Sequence, residues 1–149
     1  MRHFSSLFAV AALSVLCCTI VACGPKKKTQ EEVDAIITEM ESAIKEFADE
    51  TRAFEKAFMD TTKLSMGLAD HRIMANSAEV NARKVDYLLG IIDDNADNAA
   101  GAKAFEAAIN YLDNGQIEKL AAKVDTSLMK DSGIIATVIA RNEALAATA

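Results

Sequence analysis

The chain has no tryptophan, two tyrosines, two histidines and a single proline in 149 residues, and each shortage closes off a class of chemistry. With Tyr87 and Tyr111 as the only tyrosines, it offers no aromatic platform on which sugars or bases could stack. His71 is the one histidine past the N-terminal segment, so a multi-histidine metal centre cannot come from a single chain. No Gly-x-Ser-x-Gly element and no glycine-rich phosphate loop occurs, which leaves neither a nucleophile with its base nor a nucleotide cradle. Cys17, Cys18 and Cys23 are the only cysteines, so the rest of the chain holds no disulfide, thiol nucleophile or thiolate metal site. Its fold must rest on apolar burial.

What is present begins with the N-terminal segment. Arg2 supplies a short positive start, Leu7 to Val21 an apolar stretch, and Ala22 a small residue ahead of Cys23, the three parts of a secretory signal. The stretch is roughly 15 residues, short of the roughly 20 that span a bilayer as a helix. Its end, Ile20-Val21-Ala22-Cys23, resembles the lipobox of bacterial prolipoproteins: an aliphatic residue, a tolerant position, a small residue, then cysteine. Cys17 and Cys18 fit that pattern worse, since Leu16 and Cys17 would occupy the small position. The resemblance ends at Cys23. It implies diacylglycerol in thioether linkage to the Cys23 sulfur, cleavage just before that residue, and a fatty acyl chain such as palmitate on the new amine. Residues 1–22 are then a cleaved signal peptide, 23–28 a lipid anchor with a basic tether, and 29–149 a single domain. Gly24, where enteric lipoproteins kept at the inner membrane carry aspartate, points to the outer membrane of a bacterial envelope. The alternative is an ordinary signal peptide with an incidental cysteine.

Charge is divided unevenly. All 22 acidic residues lie beyond residue 28, against 12 of the 16 basic ones. Such a body repels phosphates, so no nucleic-acid partner is expected. Lys26, Lys27 and Lys28 could meet anionic headgroups at about 1 kcal/mol each, or serve as a solvated tether after Gly24 and Pro25.

No proline follows Pro25, and alanine, glutamate, lysine and leucine dominate the body, which predicts an all-α fold. Thr29 with Glu32 makes a capping box. From there Val33, Ile37, Met40, Ile44, Phe47, Thr51, Phe54, Phe58, Thr61, Ser65 and Leu68 recur at intervals of four and three, a heptad seam. As one helix to Met66 it would be a rod of roughly 55 Å. A second seam, Met74, Ala78, Asn81, Val85, Leu88 and Ile92, runs out of phase with the first, which predicts a turn beside Gly67 with Asp70 as cap; one continuous helix with a stammer is the rival. Residues 93–98 favour a turn. Three short amphipathic stretches follow, around Ala104–Leu112, Ile117–Leu128 and Ile134–Ala146, parted at Asn114-Gly115 and Asp131-Ser132-Gly133. Two long helices and three short ones predict an up-and-down helical bundle with a long N-terminal heptad-bearing helix. Within it Phe54 and Phe58 are expected to fill gaps left by the alanines of the later helices.

Two constellations invite a metal reading, and both fall short. Asp93-x-Asn95-x-Asp97 matches the start of a calcium loop, but Asn98 stands where glycine makes the sharp turn and Ala104 where a bidentate glutamate closes the loop, with Glu106 two residues late. Met66, Asp70 and Met74 share a helical face near His71, yet methionines at that spacing are usually core filler. The sequence therefore predicts a membrane-anchored structural or protein-interaction module of the cell envelope, with no catalytic site and no cofactor, bound to lipid through Cys23 and to a protein partner. The alternatives are a periplasmic helical bundle that binds a small ligand or metal, and an acidic inhibitor or exclusion lipoprotein.

Overall fold

The computed structural model describes residues 27–61 and 66–148. Among these it holds five α-helices and no strand: α1 (Gln30–Thr61), α2 (Met66–Asn95), α3 (Ala99–Ala108), α4 (Asn114–Ala121) and α5 (Ile134–Ala146). Short 3-10 turns fall at Ile109–Tyr111 and Thr126–Leu128. The all-α class and the division into two long and three short helices are those the periodicity predicts.

α1 begins with its capping box made. The Thr29 amide donates to Glu32 Oε2 at 2.6 Å, and the Glu32 amide donates to Thr29 Oγ1 at 3.3 Å. Val33 and Met40 are buried, with Ile37, Ile44, Phe47, Thr51, Phe54 and Phe58 half-buried on the same face. Lys28 donates to the Asp94 carbonyl at 2.7 Å, the Phe47 and Tyr87 rings lie 6.2 Å apart, and Glu50 pairs with Arg83. Positions rise along one helix as they fall along the other, so α1 and α2 form an antiparallel hairpin. α2 already includes Gly67 and Asp70, so Asp70 lacks the capping role expected of it. A helical glycine costs only about 1 kcal/mol, which the packing of a long helix outweighs.

The core lies at one end of this hairpin. Met40 of α1 and Leu88 and Ile92 of α2 meet Phe105, Ala108 and Ile109, and Ile117, Leu120, Val124, Met129 and Val138 close over them. The α2–α3 turn is held by side chains: Asn98 Oδ1 accepts from the Ala100 amide at 2.9 Å, and buried Asn95 donates its amide to the Ile91 carbonyl at 2.8 Å. α3 crosses so close to the end of α2 that a Cβ on Gly101 would stand 2.1 Å from the Asn95 carbonyl oxygen.

Three boundaries differ from the expected ones. Asn114-Gly115 is no stop, because Asp113 forms a complete capping box with Gln116 at 2.8 and 3.0 Å and starts α4 there. Leu128 is exposed, and Met129 takes the core position because the 3-10 turn shifts the face by one residue. Leu145 is also exposed, as the last turn of α5 runs past the core, where Val138 is buried.

Beyond Phe47 on α1 and Lys84 on α2 the hairpin continues outside the core cluster as a two-helix arm. From residue 48 to Thr61 it extends roughly 20 Å at 1.5 Å per residue. Phe54 and Phe58 belong to this arm. They stack on each other with centroids 5.7 Å apart and planes 10° apart, and neither enters the core cluster. The expectation that they fill gaps in the later helices is corrected, since those helices cover only the other end of α1. Each replaced by alanine should cost about 1–2 kcal/mol, the value of partial burial plus one ring contact, read from thermal melts.

Candidate functional site

The lipobox and Cys23 lie outside the described residues. Of the tether, Lys27 and Lys28 are exposed, and Lys28 is tied to the end of α2 through the Asp94 carbonyl. A cation there also meets the unpaired carbonyls of a helix C-terminus.

The Asp93-Asn95-Asp97 constellation is put to another use. The Asp93 carboxylate pairs with Lys123 at 2.6 Å, and that hydrogen bond and charge hold it below the usual carboxylate range. Asn95 is buried, bonded to Ile91 through its amide and to Asn98 through its oxygen, so the segment 93–98 works as a helix-ending turn. His71 is exposed on the arm, and Met74 is 69% exposed, so Met74 is not the core filler expected of it. Among the described residues no three His, Cys, Asp or Glu side chains form a group that could hold a metal.

An open groove of about 580 Å³ runs along the α1–α2 seam. Its floor is Ile36, Tyr87 and Ile91, all half-buried, and its rim carries exposed Glu39, Asp86 and Asp94. Helical spacing sets Arg83, Tyr87, Gly90 and Asp94 on one stripe of α2, apart from the stripe of Leu88 and Ile92 that faces the core. Lys28 stands at one end of the groove. Toward the arm, Arg83 lies 5.9 Å from the Phe47 ring centroid and pairs with Glu50. Burial raises the Tyr87 phenol above its ordinary value, and the carboxylates of Glu39 and Glu46 add to the shift, so it is neutral in this acidic setting.

Gly90 is the notch in the groove. It is exposed in the interior of α2, and a Cβ there would meet nothing within 4 Å. This groove is absent from the sequence reading above. The available signal was Gly90 itself, which interrupts the apolar run Leu88-Leu89-Gly90-Ile91-Ile92 where no turn is called for. Comparison with protein-family models, with curated proteins and with solved structures gives no match.

Proposed function

We propose that the chain is a bacterial lipoprotein, anchored through lipid on Cys23, whose helical body serves protein contacts in the cell envelope and not catalysis. The observation that carries this is Ile20-Val21-Ala22-Cys23 at the end of an apolar stretch too short to span a bilayer. The body's design supports it. α1 starts at Gln30, seven residues after Cys23 in sequence, and Lys28 bonds the Asp94 carbonyl at the end of α2, so the described chain enters the bundle at its core end. α1 then leads away from it for roughly 48 Å along its axis, at 1.5 Å per residue, and ends in the arm. A long hairpin leaving a small core is a shape for lateral contact. Gly24 in place of aspartate favours the outer membrane.

Metabolic labelling with an alkyne analogue of palmitate, followed by separation of inner and outer membranes, tests the reading. The parent should carry label and sediment with the outer membrane, and Cys23→Ser should carry none. Label retained in Cys23→Ser, or an unlabelled parent in the soluble fraction, contradicts it.

A further inference from the structure

We propose that the groove along the α1–α2 seam receives a basic amphipathic segment of a protein partner. Its apolar side chains lie on Ile36, Tyr87 and Ile91, one of them enters the notch at Gly90, and its lysines or arginines meet Glu39, Asp86 and Asp94. This rests on the protein-contact reading above and specifies the surface and the partner's chemistry.

The first argument is charge. The apolar floor is rimmed by three carboxylates, and among the described residues that line it the one cation, Lys28, donates to the Asp94 carbonyl at 2.7 Å. That contact shows an ammonium group accommodated at the groove's end. A basic ligand continues the pattern along the rim, whereas anionic lipid, nucleic acid or an acidic peptide would be repelled. A second copy of the chain fits badly too, because a two-fold contact through this face would set carboxylates against carboxylates.

The second argument is Gly90. Glycine in a helix interior weakens it, and a structural reason usually appears as a neighbour that leaves no room for a side chain. Gly101 has such a reason, in the backbone of Asn95. Gly90 has none among the described residues, and the space above it is part of the groove. A gap there is useful to an occupant from outside. The dimensions agree, since the stripe from Arg83 to Asp94 runs roughly 16 Å, about three turns of a docked helix.

The test is photo-crosslinking in intact cells, with p-benzoylphenylalanine placed in the protein at exposed position 35, one helical turn from Glu39 on the groove's rim, and, separately, at exposed position 136 on α5. Position 35 leaves the notch at Gly90 open. Light should give an adduct from position 35 whose linked partner peptide is rich in Lys or Arg, with apolar residues at helical spacing. The double variant Glu39→Lys/Asp86→Lys should reduce that adduct by about tenfold or more, as reversed charges at a contact do, while its melting curve stays that of the parent. Adducts from position 136 with none from position 35 overturn the groove and leave the protein-contact reading standing. Adducts from neither overturn both. A position 35 adduct to lipid, to a second copy of the chain or to an acidic peptide also overturns the proposal, as does one that survives the charge reversal undiminished.

Discussion

Replacing Gly101 by alanine should destabilise the body by about 3 kcal/mol or more, the upper range for overpacking where nothing flexible can yield. The obstacle is backbone: the new methyl would stand 2.1 Å from the Asn95 carbonyl oxygen and 2.6 Å from its carbon. Relief requires α3 to move off the end of α2, and that movement would open the cluster of Leu88, Ile92 and Phe105. Gly90→Ala is the matched control, with the same change of residue in a helix and no neighbour within 4 Å. It should stabilise the chain by about 0.5–1 kcal/mol, since alanine loses less conformational entropy. In thermal melts the two variants should therefore move in opposite directions, at about 3–5 °C per kcal/mol for a domain of this size. Equal shifts would mean that the α2–α3 crossing is looser than described.

Phe105→Ala should cost about 3–5 kcal/mol, the usual range for a buried aromatic whose removal leaves a cavity. Phe105 is among the largest side chains with no exposed surface, and residues from α1, α2 and the later helices join its cluster. The loss should exceed that from Phe54→Ala or Phe58→Ala in the same melts. If either arm phenylalanine costs more than Phe105, the stabilising centre lies in the arm and the core has been assigned to the wrong end of the hairpin.

That ordering could not be read from the heptad pattern. Spacing by four and three states which face of α1 turns inward, and Val33, Met40 and Phe47 do so. It is silent on how many helices cover each turn, and Phe54 lies on the seam as regularly as Met40 while only α2 continues alongside it. Caps were legible where the chemistry is local and complete, as at Thr29 and Glu32. Asp113 does not stand out as a cap because Asn114-Gly115 is the stronger turn signal in isolation, and only the reciprocal bonds with Gln116 decide for a helix start. Leu128 and Met129 exchanged places because an α-helical period was carried across a 3-10 turn.

The two candidate sites differ in what each rests on: the anchor proposed at Cys23 rests on a local motif, and the groove on an assembly of two helices. Cys23 stands out from four consecutive residues. The groove draws Ile36 and Glu39 from one helix and Asp86 to Asp94 from another, and no local pattern announces that pairing before the hairpin is known. The acidic excess beyond residue 28 is the one sequence feature that agrees with the basic partner proposed for it.

A role for the body in contacts within the cell envelope depends on its being held at a membrane. The most direct measurement is mass spectrometry of the N-terminal peptide of the mature protein from the membrane fraction. The predicted result is a peptide that begins at Cys23 and carries the mass of diacylglycerol plus an amine-linked acyl chain. A mature N-terminal peptide containing an unmodified Cys23, from protein released in soluble form, would contradict it.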